Sequence, residues 1–381
     1  MVRRRAVRPS GKLKVIKGEL IMYKYDEKVN ISEKLKNNPL FQQRIKGMNF
    51  GFLSKRGYYE REDVKKQPAL MKEMGVNLVT LNLNVCQDTW CSTKLYLDFE
   101  YSVGEDELLK MAKLLHEQGI MVLFKPCMTC LDGQAMGAVQ FPETGMQIEG
   151  VRVDYRKAWF ESYTKCIVYC ATLAQKMQAE GFMIGAELLG MEGGYGIDPY
   201  WRELVKKVRE VYDGAVTYEF TCTSRKRYSL AWFDELDFLA YSYYPPACPR
   251  DHIEDPENNP TYTKKDMFEF MLDRRQKMEE ICSRFNNKPI LFTEYGTRSM
   301  HGCIQLPYNI TFRGKYDGQE QADFMAASFD VFKAVPYWMG LCWWKWDETQ
   351  NRPHYHEDPA GDGGFTIQGK PAEKVFKETK L

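Results

Sequence analysis

Short runs of apolar and β-branched residues alternate along this chain with longer segments whose apolar residues recur every three or four positions. The short runs occupy residues 48–52, 75–84, 119–126, 181–187, 215–222, 237–244, 289–296 and 339–346. The longer segments include 105–118, 155–179, 199–212, 264–285 and 319–333. The first kind reads as strands and the second as amphipathic helices. Strand then helix, repeated eight times, predicts an α/β fold of one kind, a single (β/α)8 TIM barrel, and nearly continuous apolar runs suit parallel strands covered on both faces. A doubly wound sheet would alternate in the same way, but it carries a Gly-rich turn after its first strand, and GMNFGF at 47–52 is not a GxGxxG fingerprint. No Pro/Ser linker divides the pattern, so residues 45–381 read as one barrel domain behind an N-terminal extension, 1–44.

In such a barrel the chemistry sits at the carboxyl ends of the strands. Glu187 closes the fourth run, in MIGAE, and Glu294 closes the seventh, in LFTEYG. Either alone reads as an ordinary polar residue at a strand end. Together they would face each other across the barrel mouth, and two carboxylates so placed are what glycosidic bond cleavage requires. The eighth run ends in Trp343, Trp344 and Trp346. Strand alternation would send Trp344 and Trp346 to one face and Trp343 to the other, with at least one indole flooring a sugar site and the rest filling the core. Tyr243 and Tyr244 end the sixth run, where a hydroxyl could donate to an ionised carboxylate or merely line the rim. Lys125 ends the third run, with a sugar-binding or a structural role equally open. Glu219 on the fifth is a third mouth carboxylate, which either pairs with Lys125 or with one of Arg225, Lys226 and Arg227, or accepts from a sugar hydroxyl. Asp132, Gln134 and Arg298 are weaker candidates from adjoining loops.

Composition narrows the partners. Fifty-three basic against fifty-two acidic residues leave a charge of +1, too little field for a nucleic acid or an anionic membrane surface. No run of about twenty apolar residues suggests a membrane span. The basic start, MVRRRAVRPSGKLKVIKGEL, lacks the apolar stretch and small-residue cleavage site of an export signal. The cysteines number eleven, an odd count without small-scaffold spacing, which fits reduced thiols and a cytoplasmic location. Cys86, Cys91, Cys127 and Cys130 follow neighbouring strands and could hold a structural zinc if the fold brought them together; four free thiols are the simpler expectation, and no metal or cofactor is assigned. Cys166 and Cys170 fall one helical turn apart, as core residues do. His354 and His356 read as part of a rim loop. The long segments 245–263 and 300–318 would shape access to the same face.

A set of longer matches, in order along the chain, identifies a resemblance. They are WFESY at 159–163, IGAELLGME at 184–192, WRELVKKVREVYDGAVTY at 201–218, LDFLAYSYYPP at 236–246, KPILFTEYGTRS at 288–299, WWKW at 343–346 and GKPAEKV at 369–375. Over roughly residues 45 to 375 the chain resembles the clan A glycoside hydrolases, most closely the family 113 β-mannanases. The resemblance implies a retaining, metal-independent hydrolase of β-1,4-mannan or manno-oligosaccharides, with Glu187 as acid/base and Glu294 as nucleophile. Retention calls for carboxyl groups about 5 to 5.5 Å apart. One departure bears on the sugar: the clan places Asn, and family 113 a small hydroxyl residue, before the strand-four glutamate to bind the 2-hydroxyl, and here Ala186 offers no side-chain bond. Another β-glycoside, glucan or xylan, therefore stays open, as does a carbohydrate-binding barrel without catalysis.

Overall fold

The computed structural model describes residues 25–142, 146–148, 150–221, 230–347 and 362–381. Eight parallel strands close into a barrel: β1 (Ile45–Phe50), β2 (Leu78–Gln87), β3 (Met121–Cys130), β4 (Gly181–Ala186), β5 (Ala215–Thr221), β6 (Leu239–Ser242), β7 (Ile290–Tyr295) and β8 (Trp338–Trp343). Each strand pairs with the next in sequence, and β8 returns to β1 through Ile45 opposite Gly340. Every strand overlaps a run read as a strand from the sequence. Two register pairs carry the site: Ala186 lies opposite Glu219, and Ser242 opposite Glu294.

Around the barrel run α1 (Glu62–Lys65), α2 (Gln67–Glu73), α3 (Glu105–Glu117), α4 (Tyr155–Lys176), α5 (Asp198–Arg209), α6 (Lys264–Met271), α7 (Asp273–Arg284), α8 (Gly318–Phe332) and α9 (Pro371–Glu378). The segment 264–285, read as one helix, is two abutting helices that meet at Leu272. Between β5 and β6 the described residues hold only a 3-10 turn, Ala231–Glu235. A small antiparallel hairpin, Met146–Ile148 with Val151–Val153, precedes α4; its three-residue arms are too short to leave a periodic trace in the sequence.

Two apolar layers hold these parts together. The inner one fills the barrel floor with Leu78, Leu123, Met183, Leu291 and Met339. Leu35, Leu40 and Phe41 of the N-terminal segment pack into this same cluster, so the segment plugs the end of the barrel away from the glutamates. The outer layer, between strands and helices, is rich in rings, including Trp159 stacked on Tyr163 and Trp201 on Trp232, each with centroids 4.5 Å apart. Flat rings of this size bury large apolar areas and fix the angle at which a helix crosses the sheet. Among the described residues no helix is long and apolar enough to cross a membrane.

Candidate active site

The turn that carries Glu187 is held by the aromatic layer beneath it. Gly185, two positions earlier, has no room for a side chain, since a Cβ there would lie 2.5 Å from the Tyr163 hydroxyl and 3.0 Å from the Tyr218 ring. Glu187 itself takes a left-handed conformation, φ 50°, which a non-glycine residue adopts only when its surroundings impose it. Those surroundings are visible. Its N–H donates to the Glu219 carbonyl at 2.9 Å, and the next residue, Leu188, donates to the Tyr218 hydroxyl at 2.9 Å. That hydroxyl donates onward to Glu192 at 3.0 Å. The Trp201 and Trp232 indoles donate to the Met191 and Glu192 carbonyls, each at 2.8 Å. The backbone thus leaves the strand abruptly at the catalytic face of the fold, with Glu187 half-buried.

Glu294 is gripped at both oxygens. Lys125 donates to Oε1 at 2.5 Å, and the Tyr244 hydroxyl donates to Oε2 at 3.1 Å. The Lys125 ammonium also pairs with Glu219, so one cation bridges the carboxylates of β5 and β7. Lys125 and Glu219 are 1% and 0% exposed at their side chains, whereas Glu294 keeps 13%, so the accessible carboxylate of the bridged pair is Glu294. Trp344 adds a ring 5.8 Å from the Lys125 ammonium, braced edge-on by Phe52 with centroids 4.7 Å apart.

Burial and like charge set the titration of this cluster. Burial pushes the Glu187 carboxyl up from 4.5 to about 7; the Glu294 charge pushes the same way, and the Ser242 hydroxyl and Lys125 pull against it. Glu219 is pushed up to about 8, chiefly by burial and in part by Glu294 and Glu187, against the pull of Lys125. Burial alone would depress Lys125, but the two carboxylates prevail and hold it well above the ordinary lysine value. Burial and the charge of Glu294 raise Tyr244 far above the ordinary tyrosine range, so it stays a hydrogen-bond donor.

The sequence candidates therefore divide. Glu187, Glu294, Lys125, Glu219, Tyr244 and Trp344 come together at one mouth. Six others lie elsewhere. Tyr243 points into the outer layer, stacked on Tyr241 at 4.6 Å and packed on Phe292 at 5.0 Å. Trp343 is buried there too, its indole donating to the Phe365 carbonyl at 2.8 Å. Trp346 donates to Gln67 at 2.9 Å and lines, with Tyr58, Asp347 and Gln368, a cavity of about 350 Å³ against α1, α2 and α9, so it does not share a face with Trp344. Strand pairing ends at Trp343, and beyond it alternation no longer governs direction. Arg298 donates to the Ile310 and Phe312 carbonyls and fastens the loop after β7. Asp132 accepts from the Trp90 N–H at 3.0 Å and so joins the loops after β2 and β3, and Gln134 is exposed beside it.

The four thiols do not converge. Cys127 faces the barrel interior and donates to Asn82 at 3.2 Å, whereas Cys130, three residues on, lies on the opposite side of the strand near Gln87. Cys91 is exposed and Cys86 buried, and all four are free. Among the described residues none of them belongs to a group that could hold a metal. Cys166 and Cys170 are free thiols on α4, the second fully buried. Arg225, Lys226, Arg227, His354 and His356 lie outside the described residues.

Several polar residues near the site escaped the sequence reading. Ser242 ends β6, and its hydroxyl pulls the Glu187 carboxyl down against the effect of burial. Asn82 donates to the Phe50 carbonyl at 2.9 Å, and Asn49 to the Thr293 carbonyl at 2.8 Å, together lacing the barrel interior under the carboxylates. The signal was present in VTLNLN at 79–84, where Thr80, Asn82 and Asn84 alternate with apolar residues. Asp347 accepts from the Tyr58 hydroxyl and from the Gly51 N–H, tying the segment after β8 to the loop after β1.

A structure of a family 113 β-1,4-mannanase is 28% identical, with 88% of this chain and 98% of that chain covered at a TM-score of 0.72. A complex structure of a family 113 β-1,4-mannanase gives 27% identity, the same coverage and a TM-score of 0.71. The β-mannanase AaManA from Alicyclobacillus acidocaldarius, in complex with ManMIm, is 26% identical over 89% of this chain and 97% of that one, with a TM-score of 0.72. No curated protein matches by sequence. The sequence profile of glycoside hydrolase family 113 matches residues 48–370, and the chain belongs to that family.

Proposed function

We propose that this protein is a retaining hydrolase of β-1,4-mannan or manno-oligosaccharides, in which Glu187 is the general acid/base and Glu294 the nucleophile. The observation that carries the reading is the contrast between two carboxyls at one barrel mouth. One, Glu187, is pushed up to about 7 and is poised to give a proton at neutral pH. The other, Glu294, has both oxygens oriented by N–H and O–H donors. The substrate reading draws further support from the three solved relatives, which are described as β-mannanases. That all ten described cysteines are free thiols favours a cytoplasmic enzyme.

In the first step a Glu294 oxygen bonds to the anomeric carbon as the bond to the leaving oxygen breaks and Glu187 transfers its proton to that oxygen. Lys125 and Tyr244 hold Glu294 at the required angle. Ester formation removes the Glu294 charge, which is one of the influences raising Glu187. The Glu187 carboxyl then becomes more acidic at the moment it must act as a base. It takes a proton from water, whose oxygen displaces Glu294 and restores the starting anomer. Trp344 offers an apolar face on which a pyranose ring can stack.

Ala186 supplies no bond to the 2-hydroxyl, the group whose orientation distinguishes mannose from glucose. Turnover of aryl β-mannoside, β-glucoside and β-xyloside, with the anomer released followed by NMR, tests the proposal. Mannoside hydrolysis with retention is expected. Preference for glucoside or xyloside would reassign the sugar, and binding without turnover would make the chain a carbohydrate-binding barrel. Products from defined oligosaccharides then distinguish internal from terminal cleavage.

A further inference from the structure

We propose that His301, Asp317 and Glu320 form a binding site for a divalent cation of the zinc class, where the loops after β6 and β7 meet the first turn of α8. His301 Nε2 lies 2.7 Å from the Asn259 carbonyl oxygen. A carbonyl only accepts, so Nε2 carries the hydrogen and the neutral ring presents the lone pair of Nδ1 on its other side. That lone pair faces Asp317 Oδ2 at 3.2 Å and Glu320 Oε2 at 3.4 Å. Three electron-rich atoms converge, and a positive species belongs among them: a proton, on Nδ1 or on the buried Glu320 carboxyl, or a metal ion.

Two observations favour the metal. First, zinc holds nitrogen and oxygen ligands at about 2.1 Å, and tetrahedral angles then separate neighbouring ligand atoms by roughly 3.4 Å, close to both distances found. Second, Glu320 Oε1 is buried and makes no well-formed hydrogen bond, in a residue only 5% exposed whose carboxyl has the Gly302 and Ile304 N–H groups as its nearby backbone donors. A proton on His301 would leave that oxygen unsatisfied, whereas a cation bound at Oε2 lies within reach of it. Each ligand is also fixed from behind: His301 by the Asn259 carbonyl, Asp317 Oδ1 by the Glu320 N–H at 2.8 Å, and Glu320 Oε2 by the Gly302 N–H at 3.0 Å. Such supporting bonds are what metal ligands commonly have. One imidazole with two carboxylates suits zinc or manganese better than calcium, which seeks six to eight oxygens.

The place gives the ion a role. The loops after β6 and β7 are already stitched by Ala247 N–H to the Ile304 carbonyl at 2.9 Å and by His252 N–H to Gln305 at 2.9 Å. A cation held by His301 and α8 would lock this double loop at the rim of the barrel mouth. The site does not depend on the glycosidase reading.

The test is zinc titration of the full chain after chelator treatment, by calorimetry and elemental analysis, beside His301→Ala and Asp317→Asn. Roughly one tightly bound zinc per chain, a raised melting temperature, and loss of both in the two variants are expected. Because the chain is rich in thiols, cobalt substitution of the wild type provides a second readout that requires no variant to fold. A tetrahedral cobalt spectrum without a thiolate charge-transfer band supports the site. A thiolate band, zinc retained in His301→Ala, or far less than one equivalent in the wild type would overturn it.

Discussion

Glu219 offers the sharpest test of the electrostatics, because it is fully buried yet paired with Lys125. Its carboxyl is raised from 4.5 to about 8, and at about 1.4 kcal/mol per unit a shift in that direction ties a few kcal/mol of stability to its proton. The folded-state value is the higher one, so this contribution is fully present below pH 4.5 and is lost as pH rises through about 8. Glu219→Gln keeps the shape and an acceptor for Lys125 but cannot ionise. Between pH 5 and pH 8 the stability of the variant should therefore gain on the wild type by a few kcal/mol. Urea unfolding followed by tryptophan fluorescence at the two pH values measures that gap. Lys125→Met should cost about 3 to 5 kcal/mol at pH 8, because it strands buried carboxylates, and part of the loss should return in the Lys125→Met/Glu219→Gln double variant. An equal gap at both pH values, or a double variant no more stable than Lys125→Met, would refute the reasoning.

Glu187→Ala should slow aryl mannosides with poor leaving groups far more than those with good ones, since an aglycone that departs readily needs little protonation; equal losses on both would remove Glu187 from the acid role. Glu294→Ala should lose hydrolysis, and added azide should yield an α-glycosyl azide from the β-linked substrate, detectable by NMR. The kcat/KM of the wild type should fall about tenfold per unit as pH rises above about 7, because the raised Glu187 carboxyl then loses its proton, and a flat profile to pH 9 would contradict that. Tyr244→Phe removes one hydrogen bond to a charged oxygen, about 1.5 to 3 kcal/mol, so kcat/KM should drop roughly 10- to 100-fold in steady-state assays with little change in melting temperature.

The barrel and its two glutamates were legible because the period of a strand is local and robust. Glu187 lies just beyond the last paired residue of β4 and Glu294 at the last residue of β7 paired with β6, where the carboxyl end of a barrel strand meets its mouth. The same rule misdirects once pairing stops. Tyr243 and Tyr244 follow the end of β6, and only the surrounding packing sends the first outward and the second to Glu294. Trp344 and Trp346 follow the end of β8, and their backbone N–H groups turn to Tyr295 and Asn49 on either side, which separates two indoles that alternation would have aligned. The Lys125 bridge was visible only as a pair of alternatives, because the distance between two strand ends is a property of barrel closure.

That bridge also explains how three largely buried carboxyls share one mouth with one ammonium. A buried charge is tolerated when another of opposite sign lies beside it, so Lys125 can compensate one carboxylate well and a second poorly. Burial first, and then the neighbouring carboxylate charge that Lys125 does not fully offset, raise Glu187 and Glu219, each being kept neutral into the range of about 7 to 8. In the proposed reaction the count never changes. The negative charge leaves Glu294 as the ester forms, and Glu187 acquires one as its proton departs with the leaving group. Lys125 faces one ionised partner in its cluster before and after, so the buried surroundings need not reorganise between the two halves of the cycle.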